Sequence, residues 1–256
     1  MRFSVPISCV MGNIDFCEGV RTVASIGYDA VEAYNWKTLG DLDKIRGICD
    51  ENGVEFLSIC TTEFRLTDPA FRADWLKGLK ESCVAAKTLG AHRMITQVGQ
   101  DNGTPRADQH DAIVTTLREA APILAENDII MMIEPLNTYV NHPGYFLTSS
   151  HEAFDIIRAV DSPFVKIVFD IYHQQVMEGN ILPNILGNLD AIAHLHAAGH
   201  PGRHELQNGE NDYHFIFSEI DKAGYQGACG LEYRPLMEPV ESLREAMRLY
   251  GTKNQS

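Results

Sequence analysis

A chain of 256 residues with 45% hydrophobic and 22% charged residues can bury a sizeable core, which excludes an intrinsically disordered segment. Its 21 Lys and Arg against 35 Asp and Glu give a formal charge of −14, which repels a phosphate backbone and removes nucleic acid from the expected partners. No stretch reaches about 18 uninterrupted apolar residues, and the opening MRFSVPISCVMGN is too short in apolar residues for a secretory signal, so neither membrane nor export is expected.

Read along the chain, short apolar runs alternate with longer stretches of helical period. FSVPISC (3–9) precedes a helical stretch at 14–27, AVEAY (30–34) one at 39–53, EFLSIC (55–60) one at 69–90, and RMITQV (93–98) one at 106–128. IIMMIEPL (129–136) precedes 149–161, VKIVFDIYH (165–173) precedes 181–190, IAHLHAAG (192–199) precedes 214–224, and GACGLEYRP (227–235) precedes 239–251. Gly27, Gly53, Gly90 and Gly224 stand where helices should end, Ser149 or Ser150 can cap the fifth helix, and Pro69 opens the third. Eight strand-then-helix units without a linker predict an α/β fold, a closed (β/α)8 barrel in a single domain over 1–256, with 251–256 a frayed polar tail. The long connections TTEFRLTDP, GQDNGTP and NTYVNHPGYFLTSS all follow strands, on the face where such barrels build their sites. Six cysteines, Cys9, Cys17, Cys49, Cys60, Cys83 and Cys229, sit in apolar segments with no CxxC pair, which predicts reduced thiols and a cytoplasmic location.

Each of the last four strands carries an ionisable group near its C-terminal end: Glu134, Asp170, His196 and Glu232. Strands buried on both faces make such groups expensive unless they are paired. Three carboxylates and an imidazole converging from adjacent strands would repel one another, and a divalent metal removes the difficulty. Oxygen-rich ligation with one nitrogen suits Mn2+ or Mg2+ first, with Co2+ or Zn2+ as further candidates.

HLHAAGHPGRHE places His194, His196, His200 and His204 within eleven residues. His194 and His196 share one side of a strand about 7 Å apart, so only one can be level with the carboxylates. His196 is the expected ligand and His194 a lower, supporting group. His200 and His204 fall in a Gly/Pro loop that lacks the regular spacing of a zinc cage. In that loop Arg203 suits a substrate carboxylate or hydroxyls, or else makes a surface salt bridge to Glu205 or Glu210. His173, three residues past Asp170, either contacts substrate oxygens or is a solvated loop histidine.

IEPLNT followed by PGYFLTS, then FDIYHQQVMEGN, AGHPGRHELQNGENDY and GYQGACGLEYRP, occur in that order, with GYDAVE the best segment of the first half. On these motifs the chain resembles the xylose-isomerase-like TIM barrels, and within them the hydroxypyruvate isomerase group. The resemblance implies one divalent metal held by Glu134, Asp170, His196 and Glu232, proton transfer by Glu134 and Glu232, and substrate contacts by His173 and Arg203. It implies an aldose–ketose isomerase working through an enediolate on a small hydroxy-oxo acid such as hydroxypyruvate. The hydroxypyruvate isomerases are expected to carry glutamine where His196 stands, whereas ketose 3-epimerases carry histidine; the epimerases' further glutamate, six residues after Glu134, is Val140 in this chain. A ketose 3-epimerase acting on a pentulose or hexulose is therefore the first rival. A metal-dependent phosphodiesterase like the apurinic-site endonucleases, or a sugar-binding barrel without turnover, is more remote. The partners expected are a small-molecule substrate and, with the oligomeric state left open, further copies of the chain.

Overall fold

The short β-branched and apolar runs form eight parallel strands that close on themselves in the order β1 to β8. The structure, a computed structural model, describes residues 1–62 and 64–251, so the expected fraying of 252–256 lies outside the described residues, as does one position of the TTEFRLTDP connection. The strands are β1 (Arg2–Pro6), β2 (Ala30–Ala33), β3 (Glu55–Cys60), β4 (Arg93–Thr96), β5 (Ile130–Ile133), β6 (Val165–Asp170), β7 (Ile192–Ala197) and β8 (Ala228–Leu231). β8 returns to β1 through Arg2↔Ala228, Phe3↔Cys229 and Ser4↔Gly230. This is a (β/α)8 TIM barrel.

The helices are α1 (Ile7–Val10), α2 (Phe16–Ile26), α3 (Leu42–Asn52), α4 (Arg72–Leu89), α5 (Arg106–Asn127), α6 (Ser150–Val160), α7 (Ile171–Met177), α8 (Ile181–Leu186), α9 (Tyr213–Lys222) and α10 (Pro239–Tyr250). Their apolar faces pack on the outside of the strands, where Trp75, Phe154, Phe169 and Leu243 are among the fully buried side chains of one continuous core. Side-chain caps set the helix starts: Asp15 accepts from the Glu18 N–H, Asp41 from Lys44, and Ser149 from His151.

Gly27, Gly53 and Gly90 end their helices in the left-handed conformation as expected, and Gly224 lies one residue beyond its helix cap, also at positive φ. Asp128 and Asp161 do the same work for α5 and α6. Three expectations need correction. The first strand stops at Pro6, which lacks an N–H to continue a ladder, and Ile7–Val10 turn into α1. The sixth stops at Asp170, whose carboxylate accepts from the Tyr172 and His173 N–H groups and starts α7. Pro69 opens a 3-10 turn over Pro69–Phe71, and α4 follows at Arg72.

Candidate metal and substrate site

The C-terminal mouth of the barrel gathers the four expected groups. Asp170 ends β6, His196 is the penultimate residue of β7, and Glu134 and Glu232 immediately follow β5 and β8. β6 and β7 pair Asp170 with His196, and β7 and β8 pair His196 with Gly230, so the register brings these heights together. One donor atom from each of Glu134, Asp170, His196 and Glu232 lies within 4.8 Å of the others.

His196 Nδ1 lies 2.7 Å from Glu232 Oε2 and 3.7 Å from Glu134 Oε1. Although so close to carboxylate oxygen, this buried nitrogen makes no aligned hydrogen bond. An imidazole nitrogen set among three carboxylates, with no well-aligned hydrogen bond to any of them, fits a divalent cation by the chemistry of the donor set.

Arg203 is the cation nearest these acids. Its Nη2 lies 2.8 Å from Glu232 Oε1 and 3.2 Å from Asp170 Oδ2, its Nε donates to the Glu232 carbonyl, and its guanidinium lies over the Tyr172 ring. The surface pairing with Glu205 or Glu210 is not formed: Glu205 instead accepts from the Leu236 and Met237 N–H groups, and Glu210 lies 3.4 Å from His200. Arg203 holds a left-handed backbone with φ 59° on a loop closed by the Gly199↔His204 bridge. His173 is buried, not a solvated loop residue; its Nδ1 accepts from the Asn137 N–H and lies 2.7 Å from the Asn137 amide nitrogen, and its Nε2 has no hydrogen bond.

A chamber of about 180 Å³ lies over these groups, lined among others by Tyr34, Cys60, Glu134, His173, Arg203 and Glu232. It adjoins an outer cleft of about 430 Å³ that shares Tyr34, Cys60 and Gln97 and reaches Lys37 and Phe64. The hollow beside Arg158 and Lys166 at the opposite end of β6 is lined by no histidine.

A family model described as Xylose isomerase-like TIM barrel matches residues 20–251. The chain belongs to this family. Among its relatives, the hydroxypyruvate isomerase of Escherichia coli (strain K12) is 29% identical over 256 residues, covering 95% of this chain and 97% of that protein. The 2-oxo-tetronate isomerase of Cupriavidus necator is 32% identical over 243 residues, covering 91% and 93%. Among solved structures, an AP endonuclease, family 2, from Brucella melitensis matches with a TM-score of 0.92 at 26% identity over 97% of this chain and 98% of that one. D-psicose 3-epimerase from Clostridium cellulolyticum H10, with D-tagatose, matches with a TM-score of 0.85 at 17% identity over the same shares, a likeness of fold alone.

Within this xylose isomerase-like barrel the two glutamates are set apart electrostatically. Burial pushes the Glu134 carboxyl up to about 7, and the neighbouring Glu232 and Asp170 add to it against the pull of His196. Burial would raise Glu232 too, but Arg203 and His196 outweigh it and hold that carboxyl well below the usual range. Tyr34 supports the same ionised state by donating its hydroxyl to Glu232 Oε1 at 2.6 Å.

The sequence reading passed over several residues of this site. Tyr34 and Cys60 stand at the C-terminal ends of β2 and β3, the position that singled out the four expected groups, and the same rule applied to the first half would have found them. Glu32, a buried acid inside AVEAY on β2, lies under His196 with its Oε2 3.3 Å from His196 Nε2. His142 arrives from the loop after β5 and packs 5.2 Å from the His173 ring; nothing in its sequence surroundings marks it.

Proposed function

We propose that the protein is a divalent-metal-dependent isomerase that moves a proton between carbons beside a carbonyl in a small hydroxy-oxo acid of the hydroxypyruvate or 2-oxo-tetronate kind. The observation that carries this reading is the convergence of Glu134, Asp170, His196 and Glu232 at the barrel mouth with His196 Nδ1 unbonded among them. The relatives named for those two substrates support the reaction class. In this reading the four residues hold Mn2+ or Mg2+, which when bound supplies Lewis acidity to a chelated carbonyl and its neighbouring hydroxyl.

The remaining chemistry belongs to the chain's own groups. Glu134 and Glu232 approach from β5 and β8 across the chamber, so one can accept the carbon-bound proton and the other return it, passing through an enediolate. Their opposite electrostatic settings suit two carboxylates with different roles. Because Asn137 donates to His173 Nδ1, the ring carries its proton on Nε2, 3.5 Å from Asp170 Oδ2, and this chamber-lining imidazole can donate to a substrate oxygen. Arg203 supplies the fixed positive charge that a substrate carboxylate requires. The chamber is smaller than the roughly 300 Å³ at which pockets for drug-sized ligands begin, in keeping with a substrate of a few carbons.

A ketose 3-epimerase is the second reading, favoured by the outer cleft, which gives a longer sugar somewhere to extend. Hydroxypyruvate, tartronate semialdehyde, 2-oxo-tetronates and common ketoses in D2O, with Mn2+ or Mg2+ and a chelator control, separate the two by NMR. Deuterium entering a C–H bond of a hydroxy-oxo acid, lost in Glu134→Gln, is the expected result. Exchange confined to ketoses and insensitive to Arg203→Ala supports the epimerase, and no exchange in any compound overturns both. No helix among the described residues is long and apolar enough to cross a membrane, and all six cysteines are free, which we read as a cytoplasmic enzyme.

A further inference from the structure

The polar group beneath the metal-site residues is too highly organised to be incidental. Glu32 is fully buried inside the barrel, where an ionised carboxylate is tolerated only if its lone pairs are filled. They are filled from three other strands: Ser4 on β1 and Ser58 on β3 each donate a hydroxyl at 2.6 Å, and His194 Nε2 and His196 Nε2 on β7 approach at 3.1 and 3.3 Å. A carboxylate only accepts hydrogen bonds, so both imidazoles present Nε2–H to it, which leaves Nδ1 as the nitrogen that each ring can offer to another partner. With two hydroxyls and two imidazole N–H groups already aimed at its two oxygens, Glu32 has no lone pair left over for an ion of its own.

A second observation comes from β8. A Cβ built on Gly230 would lie 2.5 Å from Glu32 Oε1, 2.6 Å from His196 Cδ2 and 3.0 Å from His196 Nε2. The strand keeps a glycine where any side chain would be driven into the contact between these two residues.

We propose that Glu32 is a positioning residue: it clamps His196 in the tautomer and orientation that turn Nδ1 toward Glu134, Asp170 and Glu232, with Gly230 providing the clearance. The proposal rests on the reading of His196 as a metal ligand and deepens it. Imidazole ligands whose far N–H is held by a carboxylate lose roughly 10–100-fold in metal affinity when that partner is removed.

The test uses Mn2+ alone as the probe, with calorimetry on the wild type, Glu32→Gln, Glu32→Leu and Gly230→Ala, and nitrogen NMR on the metal-free, histidine-labelled wild type. The expected result is a wild-type His196 protonated on Nε2, Mn2+ binding weakened roughly 10–100-fold in Glu32→Leu and Gly230→Ala, and a smaller loss in Glu32→Gln, whose amide oxygen can still accept. A filler of cavity space alone would move the melting temperature without moving the Mn2+ affinity. A folded Glu32→Leu that binds Mn2+ within twofold of the wild type overturns the clamp, as does a wild-type His196 whose Nε2 carries no proton, a result that stands even if every variant fails to fold. Mn2+ binding lost in Glu134→Gln but untouched by Glu32→Leu refutes the clamp alone, whereas a wild type that takes up no Mn2+ refutes the metal site itself.

Discussion

Replacing Arg203 by alanine withdraws the guanidinium that stands between Asp170 and Glu232, at 3.2 and 2.8 Å, and leaves two buried carboxylates without it. Removing one partner from a buried ion pair costs about 3–5 kcal/mol, because the remaining charge stays desolvated. The guanidinium is only 14% exposed, so little solvent screening reduces that figure. For a chain of this size each kcal/mol corresponds to about 2–4 °C, which puts the loss at roughly 6–20 °C in melting temperature. The assay is a thermal melt at fixed scan rate with excess chelator and again with Mn2+. On the proposed reading an ion would compete with Arg203 for the Asp170 and Glu232 carboxylates, so the variant should bind Mn2+ more tightly than the wild type. Mn2+ at a hundredfold over the wild-type Kd contributes about 2.7 kcal/mol to the wild type and more to a tighter-binding variant at the same concentration, which narrows the gap by several degrees. A gap that is equally wide in chelator and in Mn2+ refutes the shared-ligand reasoning, and a variant that melts within 2 °C of the wild type in chelator refutes the buried pair.

Two further predictions concern pH and the Arg203 loop. In the metal-free protein burial and the nearby Glu232 keep Glu134 protonated below about pH 7, and the surrounding carboxylates hold the His196 imidazole protonated to higher pH, so an incoming ion has to displace both protons; calorimetric Mn2+ affinity should fall at least roughly thirtyfold from pH 7 to pH 5.5, with proton release on binding. A Cβ on Gly199 would sit 2.4 Å from the Glu205 carbonyl, forcing the loop that carries Arg203 to shift; Gly199→Ala should lower kcat/KM on the identified substrate about 10–100-fold while leaving Mn2+ affinity within about threefold, and equal losses in both would contradict it.

How far the sequence disclosed this arrangement can be judged residue by residue. The alternation of short apolar runs with helical stretches ending in Gly27, Gly53 and Gly90 displayed the barrel, because strand period, helix period and glycine's access to positive φ are all local properties. Asp128 and Asp161 end helices in the same conformation, but aspartate adopts it only when the surrounding fold demands, and the letters carry no mark of that demand. Asp170 was legible as an acid at a strand end, yet its second task, capping α7 through the Tyr172 and His173 amides, was hidden inside a run that reads as one long strand. The convergence of Glu134, Asp170, His196 and Glu232 followed from strand order, since β5 to β8 are neighbours both in the chain and around the barrel. Glu32 escaped for the converse reason. Its imidazole partners stand 162 and 164 residues away on β7, across the interior rather than beside it, and no periodicity connects positions related only by the cylinder's cross-section.

The ladder from Arg2↔Ala228 to Ser4↔Gly230 joins the barrel's first strand in chain order to its eighth. Until synthesis has passed about residue 232, a nascent chain carries β1 and β7 with one bare edge each, the exposed backbone that invites pairing with other chains. Glu232 directly follows β8, so a polypeptide without its eighth strand also lacks one member of the acid cluster. Sealing the sheet and completing the acid cluster are thus a single event, and a chain cut short of its eighth strand loses both together.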